Sequence, residues 1–213
     1  MSAAYVVHDL LRIDPALLRE SLVLEDDSLW DVAMATLQRA PFVVVRRAAD
    51  IGGGIAVGIR GRTRNVRIAA ILSPRFVLDA VSPEALRSSL RRRELPVFAA
   101  LEQIEQNSLW SRHTGGPTGS TGFELATGVQ TATSDSDLDL LLRASVPPSP
   151  DDLRGLADAC QHLQCAVDIQ VETPAGAFAL QEYLAAAGRV MLRTVRGPRL
   201  TEDAWRTPHT LVA

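Results

Sequence analysis

The 213-residue sequence contains no lysine; all 22 of its basic residues are arginine. This excludes mechanisms that need a lysine, such as Schiff-base formation, pyridoxal phosphate anchoring, lysyl adenylation and the P-loop contact to nucleotide phosphates. Aromatic residues make up only 5%, and Trp30, Trp110 and Trp205 read as core or interface anchors rather than base-stacking platforms. No apolar run approaches the roughly 18 residues of a membrane span, and the opening MSAAYVVHDLLRID lacks a basic segment followed by a long apolar stretch, so a cytoplasmic protein is expected. The two cysteines, Cys160 and Cys165, bracket His162. A zinc centre needs four ligands and no second cluster is in sight, so buried free thiols are expected.

The composition that remains, 46% hydrophobic and 22% charged, belongs to an ordinary soluble globular chain of one domain or two small ones. Its net charge of −3 conceals a segregation. Residues 1–38 carry 2 arginines against 7 acids, residues 39–93 carry 12 against 3, and residues 94–213 carry 8 against 15. A basic block between two acidic ones suggests one segment that attracts anions and another that holds a divalent cation. It does not suggest a nucleic-acid coat.

Along the chain, PFVVVRR (41–47), the glycines 52–54 and IAVGIRG (55–61) predict a β-hairpin with a loop longer than two residues, followed by a strand over 66–72. Ser82-Pro83-Glu84 has the form of an N-cap with proline at the first helical position, predicting a helix through Arg91-Arg92-Arg93; a second helix is predicted from Pro96 to about Asn107. Residues 115–128, with five glycines, predict a loop or a loop-and-turn. Beyond it the pattern predicts a strand over 137–142, a helix capped by Ser149-Pro150, a strand over 166–172, a helix over 177–187 closed by Gly188, and a strand over 189–195.

Strand alternation puts Asp137 and Asp139 on one face, with Leu138, Leu140 and Leu142 on the other. Paired carboxylates repel unless a cation lies between them or water solvates them. Asp168, on the polar face of the strand over 166–172 with Gln170 and Glu172, completes a three-carboxylate set if the two strands are neighbours. Such hard oxygen donors suit Mg²⁺, which bridges carboxylates to substrate phosphates. Gly119-Ser120 upstream offers backbone N–H groups and a hydroxyl to phosphate oxygens. Arg46, Arg47, Arg60, Arg64 and Arg67 are the candidate phosphate-binding guanidiniums. Arg91-Arg92-Arg93 reads as a solvated helix face or as a contact for an acidic partner. His8, His113, His162 and His209 lack a partner nucleophile at motif spacing, Glu124 reads as a surface glutamate, and Asp135 as a loop residue at the strand entrance.

Gly-Ser, an Asp-x-Asp strand and a later acid follow the order of the polymerase-β-like nucleotidyltransferases, which this sequence resembles. The segment between Ser120 and Asp137, TGFELATGVQTATSDS, is longer than in most of that superfamily. With it, GPTGSTGFELATG (116–128) and SDLDLLLRA (136–144) resemble the phosphoribosyl-dephospho-CoA transferases of malonate decarboxylase, its holo-acyl-carrier-protein synthases. The likeness is sharpest over 116–144 and looser through 167–183, 43–47 and 57–67. It implies an α/β (α+β) fold: a nucleotidyltransferase-type domain with a mixed sheet over 108–213, preceded by a smaller basic α+β domain over 1–107. It also implies Asp137 and Asp139 as the catalytic, metal-holding pair, with Asp168 as third ligand following from strand alternation and superfamily order. The implied substrates are triphosphoribosyl-dephospho-CoA and a serine of the apo acyl carrier protein subunit of malonate decarboxylase, with pyrophosphate leaving. Another acceptor, such as the citrate lyase carrier or a small alcohol, is the alternative among enzymes. A module that binds nucleotide or RNA without chemistry is the alternative outside them.

Overall fold

The computed structural model describes residues 5–49, 51–61, 66–90, 94–186 and 189–207. The described residues build two six-stranded sheets, each with its own hydrophobic core. The first is wholly antiparallel and contains β1 (Leu10–Ile13), β2 (Leu22–Leu24), β3 (Phe42–Val45), β4 (Ile55–Arg60), β5 (Arg67–Leu72) and β6 (Val77–Val81), in the order β2-β5-β4-β3-β1-β6. Two helices, α1 (Leu18–Ser21) and α2 (Trp30–Arg39), accompany it. β3 and β4 form the predicted hairpin, with Val44 opposite Gly58. Alternation puts Val43, Val45, Val57, Ile59, Ile68 and Ala70 into the core with Ala33 and Leu37 of α2.

The second unit opens with α3 (Pro96–Glu105) and continues through β7 (Thr114–Pro117), α4 (Gly119–Thr127), β8 (Leu138–Arg143), α5 (Pro150–Cys160), β9 (Val167–Thr173), β10 (Gly176–Ala179), α6 (Leu180–Ala185), β11 (Val190–Thr194) and β12 (Gly197–Thr201). Its sheet is mixed. Among the described residues only β8 and β9 are parallel, joined by the crossover helix α5, and the order is β12-β11-β10-β9-β8-β7. Ser149 caps α5 as predicted, accepting a hydrogen bond from the Asp152 amide at 3.0 Å. Leu86 and five residues of α3 (Val97, Phe98, Ala100, Leu101 and Ile104) pack in this second core, so the chain before residue 107 contributes to both units.

Three local expectations are corrected. Residues 82–90 form no α-helix: two single 3₁₀ turns, Pro83–Ala85 and Ser88–Leu90, take their place, and Ser82 makes no side-chain cap bond. Leu86 is drawn into the second core in an extended conformation, which breaks the helical run. The predicted continuation through Arg91, Arg92 and Arg93 lies outside the described residues. The glycine-rich run 115–128 is a strand and a helix rather than a loop, because its glycines serve close approach. A Cβ on Gly116 would fall 1.8 Å from the Pro83 carbonyl oxygen. Residues 177–179 are strand, not helix: Ala177 pairs with Glu172 on one side and Arg193 on the other, and α6 begins only at Leu180. The expected closing residue Gly188 is outside the described residues.

The cysteines are free, Cys160 buried and Cys165 half-buried, and burial raises the Cys160 thiol to about 11. Trp110 lies in the core, while Trp205 stacks edge-on against Phe178 and donates from Nε1 to the Ala144 carbonyl at 2.9 Å. Among the described residues no helix is long and apolar enough to cross a membrane.

Candidate active site between the two units

The carboxylate face of the second sheet turns toward the first unit. In the parallel register Asp139 of β8 stands opposite Asp168 of β9, so both side chains leave the sheet on the same side. Asp139 is half-buried and Asp168 exposed. Asp137, half-buried, precedes β8 with the parity of Asp139. Leu138, Leu140 and Leu142 point into the core, as alternation predicts.

A cleft of about 860 Å³ lies between the units. It brings together seven of the ten predicted site residues: Gly119, Asp139 and Asp168 from the second unit, and Arg46, Arg47, Arg60 and Arg67 from the first. Asp137 is not in its wall, and Ser120 is buried, its carbonyl accepting from the Thr131 hydroxyl at 2.8 Å. Arg64 lies outside the described residues.

Gly119 shows why this position has no side chain. Its φ is +57°, and a Cβ there would sit 1.8 Å from Asp139 Oδ2. The preceding Thr118 donates its amide to the Asp139 carbonyl at 2.8 Å, locking the start of α4 against β8. As the N-cap of α4, Thr118 makes no side-chain cap bond, so first-turn amides are left for an anionic group. Glu124, expected at the surface, is fully buried, and its Oε2 accepts from the amides of Thr131 and Ala132 at 2.9 and 3.0 Å. It fixes the loop that follows α4.

The arginines differ in circumstance. Arg60 and Arg67 stand directly opposite each other on β4 and β5, and both line the cleft. Arg47 is doubly hydrogen-bonded to Glu172 of β9, both side chains largely buried, and Arg46 bonds Glu25 at 3.1 Å. Arg47 therefore helps to clamp the units together. Arg143 does the same, reaching Glu84 and, at 3.1 Å, the Val7 carbonyl.

The cleft wall also includes His8, Gln170 and Arg193, which were not among the sequence candidates. Arg193 Nη1 donates to Gln170 Oε1 at 2.9 Å, and Gln170 Nε2 lies 2.7 Å from His8 Nε2. Since the arginine only donates, Gln170 must present its NH₂ to His8, whose Nε2 then accepts and whose ring is neutral. Burial, followed by the charges of Arg47 and Arg143, pushes His8 down to about 4. Gln170 shares the strand parity of Asp168 and was visible to that extent; His8 and Arg193 meet it only through the sheet order. His113 lies outside the cleft, 3.8 Å from Asp152.

The donors on the carboxylate face are hard oxygens of the kind Mg²⁺ takes. Among the described residues no three His, Cys, Asp or Glu side chains are gathered closely enough to hold a metal by themselves. Asp139 and Asp168 therefore fit an ion that keeps waters and completes its shell with substrate phosphate.

No solved structure matches the chain. Two family models do: the phosphoribosyl-dephospho-CoA transferase MdcG N-terminal domain over residues 6–83 and its C-terminal domain over residues 85–204. The chain is 39% identical over 198 residues to a phosphoribosyl-dephospho-CoA transferase of Pseudomonas putida GB-1, covering 93% of this chain and 94% of the relative. To that of Pseudomonas syringae pv. tomato it is 39% identical over 209 residues, covering 96% of each. To the Azotobacter vinelandii protein of the same name it is 42% identical over 170 residues, 77% of this chain and 80% of the relative. With both domain models matched in order and the two Pseudomonas relatives covered nearly end to end, the chain belongs to the phosphoribosyl-dephospho-CoA transferase family and is a transferase.

Proposed function

We propose that the chain transfers phosphoribosyl-dephospho-CoA from its triphosphoribosyl form to a serine of the apo acyl carrier protein subunit of malonate decarboxylase, and that pyrophosphate leaves. The observation that carries the reading is the in-register pair Asp139 and Asp168, facing arginines of the other unit across one cleft. The serine oxygen forms a bond to the phosphorus next to the ribose, the bond from that phosphorus to the bridging oxygen of the diphosphate breaks, and the electron pair departs with pyrophosphate. When bound, Mg²⁺ supplies charge neutralisation on the departing pyrophosphate and in-line alignment. Asp139 and Asp168 would hold it, with Asp137, which precedes β8 with the parity of Asp139, as the further carboxylate. Asp168, the exposed member, takes up the serine proton. Arg60 and Arg67 bind the terminal phosphates, with first-turn amides of α4 on the opposite wall.

Intact-mass spectrometry of apo carriers from malonate decarboxylase and citrate lyase, offered together with donor and Mg²⁺, tests the acceptor. The reading expects the mass gain on the malonate decarboxylase carrier first. A gain confined to the citrate lyase carrier, or found on neither, overturns it.

A further inference from the structure

Among the described residues His8 is the one non-glycine residue with a positive φ, at +75°. It occupies the third position of a turn closed by the Asp9 amide donating to the Val6 carbonyl at 3.0 Å, a place where glycine avoids the steric penalty. The turn is pinned to β3 through the His8 amide and the Val45 carbonyl, also at 3.0 Å. A histidine in this conformation aims its ring across the unit boundary at Gln170, and Gln170 in turn holds Arg193. Ala177 connects the register of β9 to that of β11, so Arg193 leaves the sheet on the face of Asp168 and Gln170.

The partner of Arg193 sets it apart. Arg47 and Arg46 in the same cleft are paired with carboxylates. Among the described residues Arg193 bonds only a neutral amide, and the amide bonds a neutral imidazole. The guanidinium is oriented without being neutralised, and its remaining N–H donors stay available.

We propose that Arg193 is a phosphate ligand of the donor, contributed by the carboxylate-bearing sheet, and that Gln170 and His8 are the positioning residues that hold it. This rests on the reading of the cleft as the triphosphate site. It assigns the second unit its own guanidinium, on the side opposite Arg60 and Arg67, so that the phosphate chain is gripped from both units.

Binding of inorganic triphosphate to the full-length protein, followed by calorimetry, tests the assignment. Arg193→Ala is expected to weaken binding by about tenfold or more, and Arg193→Lys to recover part of it. In turnover, Arg193→Ala raises KM for the donor more than it lowers kcat. His8→Gly relieves the left-handed backbone and removes the acceptor, so its melting temperature stays level or rises while triphosphate binding weakens several-fold; a purely structural histidine would not separate the two. Wild-type affinity in Arg193→Ala overturns the assignment and leaves the triphosphate reading intact. Wild-type affinity in His8→Gly overturns the relay. Failure of the unaltered protein to bind triphosphate overturns the reading of the cleft and the proposal with it.

Discussion

Asp139 and Asp168 occupy the same register position on the parallel strand pair β8 and β9 of the second sheet, so two carboxylates from segments nearly thirty residues apart leave one face side by side. The crossover through α5 makes the pairing parallel, and the parallel pairing aligns the acids. If the pair holds the metal, Asp168→Asn lowers kcat by about a hundredfold or more, the several kcal/mol that a metal-bound phosphate transition state draws from its ligands. Steady-state kinetics with a parallel melting curve checks this. Unchanged kcat would remove Asp168 from the reaction.

Gly119 is the position where the smallest substitution has the sharpest consequence. A methyl group there would collide with Asp139 Oδ2, and the φ of +57° is itself unfavourable to alanine. Gly119→Ala is expected to lower stability by about 1–2 kcal/mol and to displace the Asp139 carboxylate, with activity falling further than the stability loss explains. Denaturant titration and kinetics on the same preparation separate the two effects.

His8 gives the protein a pH signature. Its folded pKa of about 4 lies below the usual 6.5, so the unfolded chain binds the proton first as pH falls. The stabilisation is complete above about pH 6.5, declines between there and pH 4, and is gone below. Asp9, whose carboxyl is raised by burial, acts with the opposite sign, so the contribution of His8 is read from the difference between wild type and His8→Gly. NMR titration should find the His8 ring changing near pH 4; a midpoint near 6.5 would contradict the buried, neutral assignment.

The Arg47–Glu172 pair is predicted to be coupled across the unit boundary. Its side chains are 16% and 15% exposed, so removing one partner strands the other in a poorly solvated place. Glu172→Gln should destabilise by about 1–3 kcal/mol, and adding Arg47→Met should recover part of that loss. Urea titrations of the single and double variants check it; additive losses would mean that the pair is uncoupled.

Much of this site was legible in the sequence because the strand period of two is unambiguous where leucines alternate with aspartates. Asp137, Asp139 and Asp168 came from that pattern, and the hairpin arginines from their density between Arg46 and Arg67. The helix of α4 was hidden because its glycines resemble those of a flexible loop, although Gly116 and Gly119 are dictated by the close approach of Pro83 and Asp139. Arg193 and His8 were hidden for another reason. Nothing local connects them, and their meeting at Gln170 depends on the order β9-β10-β11 and on the seating of the first unit against the second. Glu124 is a third kind of case: its burial follows from the amides of residues 131 and 132, which a sequence reading cannot bring to it.

The most direct measurement is the intact mass of the apo malonate decarboxylase carrier after incubation with the triphosphoribosyl donor, Mg²⁺ and either the wild-type protein or Asp139→Asn. Wild type is predicted to add one prosthetic group per carrier and to release an equivalent of pyrophosphate. Asp139→Asn is predicted to add none while keeping its melting temperature. Equal modification by the two proteins, or no mass gain with wild type and authentic donor, would contradict the account.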